Sequence, residues 1–255
     1  MMQAAREDIG ALMRRDDDGE GRVTHSGILQ RKIILHSAFF IHNSLVRTLY
    51  IDLASNKGFL ALVTEQSVLA SDHIDQRIGD HALLPRLETV LGVGGGGWKD
   101  ITHIACVVGP GGFMSLRVGV ALANTLSDQL GIPSTGIHLS DVYLARSSKE
   151  QGVGSSILWL HSTKKTELFV RGFGDAAKIW PEATHVTLEQ LSAFSFQLSG
   201  MYWCGELIPE HRAAITSAAK VDELPLQSLE DILPAFLAHQ KYQKQILKPW
   251  YGRGW

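Results

Sequence analysis

Gly109-Pro110-Gly111-Gly112-Phe113-Met114-Ser115-Leu116-Arg117-Val118-Gly119 is the stretch on which the reading of this chain turns. It follows residues 101–108, a run with the character of a buried strand. It leads into 116–130, whose apolar positions recur at helical spacing until Gly131 and Pro133 stop them. The glycines therefore sit where a strand's carboxyl end meets a helix N-terminus. There they permit positive φ and close backbone approach, while the helix dipole favours an anion. A tight turn that lets neighbouring elements pack closely is the competing reading of the same residues. The stretch lacks a Gly-Lys-Ser/Thr ending, which excludes a P-loop.

Upstream, 49–53 reads as a short buried strand, Ser55-Asn56-Lys57-Gly58 as a turn and 59–63 as the second strand of a hairpin. Residues 67–70 offer a third strand. A helix over 80–91 carries Leu83, Leu84, Leu87, Val90 and Leu91 at its periodic positions. Downstream, 134–137 forms another strand, followed by a helix through Val142, Tyr143 and Leu144. The order β-β-β-α-β-α-β-α joins an antiparallel meander to parallel crossovers. It predicts an α/β fold with a mixed sheet and flanking helices, of the ribonuclease H-like, actin-like type.

The remainder is less regular. Runs 157–160 and 168–173 flank the turn Thr163-Lys164-Lys165-Thr166, and 188–194, 211–219 and 229–246 are helix candidates. This part is too short for a full second copy. The expected organisation is an N-terminal extension over 1–46, poorly ordered around Asp16-Asp17-Asp18-Gly19-Glu20-Gly21, an actin-like lobe over 48–148 and a shortened second lobe over 149–255.

The chain has 255 residues, 45% hydrophobic and 20% charged, so it can bury a large core; disorder, collagen-like repeats and long coiled coil are excluded. Lys and Arg number 24 against 26 Asp and Glu, a net charge of -2, which argues against a surface built throughout to neutralise nucleic-acid phosphates. Cys106 and Cys204 lie far apart in apolar surroundings and read as small buried hydrophobes. No long apolar run marks a membrane span or signal peptide, which makes the cytoplasm the expected compartment.

Several motifs are weighed against plainer roles. Gly92-Val93-Gly94-Gly95-Gly96-Gly97 matches GxGxxG, but it leads from a helix to a strand, the reverse of a dinucleotide site, and reads as a linker. None of the eleven histidines has another three or four residues away, so no helical metal-binding pair is expected. Asp52 ends the first strand, where it would direct a carboxylate at Mg²⁺ or cap the turn at Ser55-Asn56. The helices 80–91 and 115–130 carry more apolar positions than one sheet face needs. Gly119, Ala121 and Ala123 on the second allow another helix to approach closely. Lys241, Lys244, Lys248 and Arg253, interleaved with Tyr242, Trp250, Tyr251 and Trp255, form a basic aromatic tail, read either as a contact for nucleic-acid phosphates or as the solvated face of a final helix.

The stretch 109–119 resembles the glycine-rich signature GPGSFTGLRIG of the TsaB/YeaZ family, with Gly109, Pro110, Gly111, Phe113, Leu116, Arg117 and Gly119 identical. Other features stand in the family's order. They are Ile51-Asp52 with Ala54-Ser55, His81 followed by Leu83-Leu84-Pro85, Leu130-Gly131-Ile132-Pro133 with Gly136-Ile137 and Ser140, and the closing Pro249-Trp250-Tyr251-Gly252-Arg253. Departures are Gly112, Met114 and Ser115 in place of Ser, Thr and Gly, and Leu53 in place of Thr. The family's Asp-Ala-Arg with a downstream Glu-Val-Tyr appears as His161-Ser162-Thr163 with Glu167-Leu168-Phe169.

The resemblance implies a non-catalytic scaffold subunit of the machinery that makes threonylcarbamoyladenosine on tRNA. Such a subunit docks on a catalytic TsaD-like subunit, with a TsaE-like ATPase in the complex, and pairs with itself when alone; tRNA contact would be indirect. It implies a partner interface on Leu84, Leu87, Leu91, Leu116, Val120 and Ala123, each of which has own-core burial as the equal alternative. Asp52, Gly109, Gly111, Gly112 and Arg117 are the ligand or phosphate-turn candidates, with no cofactor required and nucleotide with Mg²⁺ as the one to test. Catalytic and metal residues are expected to be none. The alternatives are an ATP-dependent small-molecule kinase or acyl transferase of the same fold, and a glycoprotease-type peptidase.

Overall fold

The computed structural model describes residues 34–35, 46–74, 80–147, 156–193, 200–219 and 221–252. The remainder of the extension expected over 1–46, with its acidic stretch, lies outside the described residues, as do His81's side chain, Arg253 and Trp255.

Two mixed sheets carry the fold. The first is formed by β1 (Ile34–Leu35), β2 (Thr48–Asp52), β3 (Gly58–Val63), β4 (Val68–Ile74), β5 (His103–Gly109) and β6 (Ser134–His138), in the order β1-β4-β3-β2-β5-β6. β2, β3 and β4 form the antiparallel meander, and β2, β5 and β6 run parallel. β1 adds antiparallel to β4. The helices α1 (Asp80–Val93), α2 (Phe113–Leu130) and α3 (Leu139–Arg146) supply the connections expected from the sequence order.

The second sheet repeats this plan. β7 (Ile157–Lys164), β8 (Glu167–Phe173) and β9 (Thr184–Thr187) make a meander; β10 (Tyr202–Glu206) and β11 (Asp222–Glu223) add parallel on the other side of β7. Its order, β9-β8-β7-β10-β11, matches β4-β3-β2-β5-β6 position for position. The expectation that this half is too short for a full second copy is corrected: the shortening lies in strand length, down to two residues in β11, and not in strand number. Helices α4 (Leu188–Ala193) and α5 (Pro209–Ala219) belong to it, and α6 (Leu229–Ala238) follows.

Alternation along each strand explains the layers. Leu49, Ile51, Leu60, Leu62, Ile104 and Cys106 pack with α1 and α2 on one face of the first sheet. Their neighbours Tyr50, Phe59, Ala61, Ala105 and Val107 turn inward, with α3 and α6, toward Trp159, Phe169 and Cys204 of the second sheet. Leu158, Leu160, Leu168, Val170 and Trp203 point away to a third cluster. Each central strand is thus buried on both faces, which is why the strands read as continuous apolar runs rather than as polar-apolar alternation.

One helix ends early. The helical reading of 229–246 holds only to Ala238, capped at Ser228, whose side chain accepts from the Asp231 N–H. Beyond it the chain leaves the helix through a turn at His239 and Gln240. Gln243 exchanges backbone hydrogen bonds with Ser134 at 3.0 and 3.1 Å, which covers the outer edge of β6. Non-local pairing has overridden the local helical preference. Among the described residues no helix is long and apolar enough to cross a membrane.

Candidate functional site

The carboxyl ends of parallel strands, where open α/β sheets usually place a ligand, meet between the two lobes. Asp52 ends β2, Gly109 ends β5 and His138 ends β6; from the second sheet His161 lies toward the end of β7 and Glu206 ends β10.

Asp52 is almost completely buried. Its Oδ1 accepts the Ala54 and Ser55 N–H groups at 2.9 and 3.1 Å, and its Oδ2 accepts the Ser55 hydroxyl. Burial pushes the carboxyl up to about 6, against the hydrogen bonds from Ser55; the charge of Glu206 pushes the same way as burial. The next N–H in the turn, that of Asn56, donates to Glu206 Oε2 at 2.8 Å. Three successive amides, a concavity suited to an anion, are therefore held by two carboxylates of the protein, one from each lobe. Glu206 also lies 3.6 Å from His161 Nδ1, and after burial its charge is the next cause that raises the Tyr143 hydroxyl on α3. No sequence signal singled out Glu206, because the groups around it, Asn56, Tyr143 and His161, come from distant parts of the chain.

The glycines are used for close packing. Gly109 has φ 136°, and a Cβ there would run into the Trp250 carbonyl. A Cβ at Gly111 would run into the backbone of Ala54. Gly112 is the N-cap of α2 with no side-chain cap, and it is open to solvent. Arg117 is exposed and its guanidinium lies 5.4 Å from the Phe113 ring. The structure thus brings Gly109 and Gly111 against the Asp52 turn and the C-terminal segment, and leaves Gly112 and Arg117 on the surface.

Deeper in the cleft, His138 Nδ1 accepts from the Ser140 N–H at 3.2 Å, and burial pushes the imidazole down to about 4. The ring is neutral near pH 7 and Nε2 carries the hydrogen. Arg171 Nη1 donates to Ser140 Oγ and Asp141 Oδ1, both at 2.7 Å. Trp159 stacks on His161 with ring centroids 5.7 Å apart. Neither His138 nor Arg171 was a sequence candidate, although His161 stood where the family motif departs.

A Ser-His pair is present, but it is structural. Ser162 Oγ donates to His211 Nδ1 at 2.8 Å, His211 Nε2 donates to the Lys165 carbonyl at 2.8 Å, and both side chains are buried. Ser162 Oγ also accepts the Ile208 N–H at 3.1 Å. The serine hydroxyl is buried and held between His211 and the Ile208 N–H, so it is not placed as an accessible nucleophile. Among the described residues no group of three or more His, Cys, Asp or Glu stands where it could hold a metal ion. The glycine run 92–97 leads from the end of α1 into a short turn at Trp98–Asp100, as a linker does.

The interface candidates divide. Leu87, Leu91, Val120 and Ala123 pack in the cluster beneath α1 and α2, and Leu116 in the cluster between the sheets. All five are buried in the chain's own core, the second of the two readings open from the sequence, because the periodic stripe of each helix is the stripe the sheet requires. Gly119 faces Leu53 of the chain's own first lobe. Leu84 remains exposed, at 49%, and is joined by two residues that periodicity did not select, Phe113 at 51% and Met114 at 62%. In the tail, Lys241, Lys244 and Lys248 are exposed, whereas Trp250 packs inward on His138 and Phe169.

Comparison with known proteins gives a consistent result. The family model described as TsaD, tRNA N6-adenosine threonylcarbamoyltransferase, matches residues 78–206, 129 of the 255. The Escherichia coli protein named tRNA threonylcarbamoyladenosine biosynthesis protein TsaB is 23% identical over 199 residues, 74% of this chain and 85% of that one. The tRNA N6-adenosine threonylcarbamoyltransferase of Ralstonia pickettii is 36% identical over 90 residues, 35% of this chain and 24% of that protein. Among solved structures, a Pseudomonas aeruginosa protein described as similar to peptidase YeaZ superposes with a TM-score of 0.64 at 19% identity, covering 82% of this chain and all of that one.

Proposed function

The chain belongs to the family of the TsaD model, as a TsaB/YeaZ-like member, and from that membership we propose that it is an accessory subunit in the biosynthesis of threonylcarbamoyladenosine on tRNA. In this reading it performs no chemistry of its own and activates a TsaD-type catalytic subunit by docking on it. A TsaE-type ATPase would complete the assembly, and the free chain would pair with itself.

The observation that carries the scaffold role is the state of the inter-lobe site. The amides of residues 54–56, which a phosphate would need, are held by Asp52 and Glu206; the space beside Gly109 and Gly111 is filled by Trp250 and Ala54. A group already satisfied within the chain must lose those partners before it can bind a ligand. The docking role is supported by the apolar side chains that α1 and α2 leave exposed, Leu84, Phe113 and Met114. Fold alone does not carry a function, so the test is a biochemical one. The chain is co-expressed with the TsaD-type subunit of its source, followed by size-exclusion chromatography and analysis of tRNA nucleosides from a strain lacking it. A complex, and loss of the modified nucleoside on deletion, are expected. Absence of both would overturn the reading, and tight Mg-ATP binding abolished by Asp52→Ala would favour a kinase instead.

A further inference from the structure

The C-terminal segment 247–252 lies across the mouth of the inter-lobe cleft and touches both lobes. On the first lobe, Leu247 is buried, its N–H donating to Asn124 Oδ1 at 2.8 Å and its carbonyl accepting from Asn124 Nδ2 at 3.0 Å. The Trp250 N–H donates to the Val108 carbonyl at 2.8 Å, at the end of β5. On the second lobe, the Trp250 ring lies 5.6 Å from Phe169, and Gly252, at φ 64°, sits so close to Phe169 that a Cβ would collide with its ring. Backbone bonds thus tie the segment to one sheet and its ring packs on the other.

A second observation concerns what lies under it. Trp250 stands edge-on to His138 at 4.7 Å, and His138 stands against Trp159 at 5.7 Å. In this layer His138 Nε2, Trp159 Nε1 and Arg171 Nε are buried with no hydrogen-bond partner among the described residues. Unsatisfied buried donors favour any state in which water reaches them. The closed cleft therefore contains groups that favour opening, and the apolar contacts of Trp250 oppose them.

We propose that the segment 247–252 is a clamp: its seating on Val108, Asn124 and Phe169 holds the two lobes closed, and its release opens the cleft to water at His138, Trp159 and Arg171. Tyr251 extends the clamp outward. Its ring lies 5.1 Å from that of Phe113, so release also frees the first residue of α2. The inference concerns the free chain and does not require the proposed docking role, although Phe113 figures in both.

Hydrogen exchange of the full chain is compared with Trp250→Ala, with a chain ending at Lys248 and with the milder Gly252→Ala. Exchange is expected to accelerate roughly tenfold or more at 108–116 and at 157–173, while 49–51 and 60–62 stay protected, and the radius of gyration in X-ray scattering should grow. Acceleration confined to the tail would overturn the clamp. Uniform loss of protection in the two stronger variants would mark a folding element; Gly252→Ala then decides, since anything other than selective opening at 108–116 and 157–173 defeats the proposal.

Discussion

Asp52 and Glu206, at the ends of β2 in the first lobe and β10 in the second, share one turn: Asp52 holds the amides of Ala54 and Ser55, and Glu206 holds that of Asn56. Burial disfavours the charge on Asp52, and the negative charge of Glu206 adds to the effect. This arrangement gives the inter-lobe site a testable electrostatic signature.

Asp52 should make the protein more stable as pH falls. Its carboxyl is raised from 3.8 to about 6 in the folded chain, so the folded state binds this proton more tightly than the unfolded state. The stabilisation is fully present below about pH 4 and is lost as pH rises through about 6; a shift of this size corresponds to roughly 3 kcal/mol at most. Asp52→Asn should flatten this part of the pH profile and raise stability at pH 8 by about 1–3 kcal/mol. Urea denaturation at pH 5 and pH 8 measures both, and a loss of stability at pH 8 would show that the Ser55 and Ala54 hydrogen bonds outweigh the buried charge.

Glu206 tests the link between lobes. Glu206→Ala strips the Asn56 amide of its acceptor, at a cost of about 1–3 kcal/mol, whereas Glu206→Gln keeps an acceptor and should cost less than half as much. Equal losses in thermal unfolding would assign the role to charge rather than to hydrogen bonding.

The glycine-rich turn should respond unevenly to substitution. Gly111→Ala forces a Cβ into the Ala54 backbone and should cost at least ~2 kcal/mol, as overpacking does. Gly112 has φ -61° and open space, with Ser115 Oγ 3.5 Å from a built Cβ. Gly112→Ser should gain a few tenths of a kcal/mol by capping α2. Chemical denaturation of the pair checks the contrast, and similar effects would refute it.

Surface and core positions on α1 and α2 should separate. Met114→Glu and Leu84→Glu are expected to leave unfolding within ~0.5 kcal/mol of the parent and to weaken binding of the TsaD-type subunit roughly tenfold or more. Leu87→Ala should cost about 2–5 kcal/mol through the cavity it leaves. Calorimetric titration and denaturation together decide; unchanged affinity in both charged variants would place the docking surface elsewhere.

Much of the first lobe was legible because its signals are local. Paired apolar runs around Ser55-Asn56-Lys57-Gly58 announce a hairpin, and the periodic leucines of 80–91 a helix; both formed. Strands β9, β10 and β11 were missed. They are short and interrupted by polar or glycine residues, and pairing, of β9 with β8, β10 with β7 and β11 with β10, rather than propensity, makes them strands.

Residue order and periodicity, read alone, established the α/β class, the order of elements in the first lobe and the turn at 109–112, since each depends on neighbours within about twenty positions. Which way Leu87, Leu116 and Val120 face, where the chain turns after Ala238 and what occupies the cleft were settled in three dimensions. Those outcomes depend on partners far away in sequence. Asn56 meets Glu206 across 150 positions, Asn124 meets Leu247 across 123, and Trp250 closes on Val108 and Phe169. Periodicity marks an apolar stripe; only packing tells it which surface to cover.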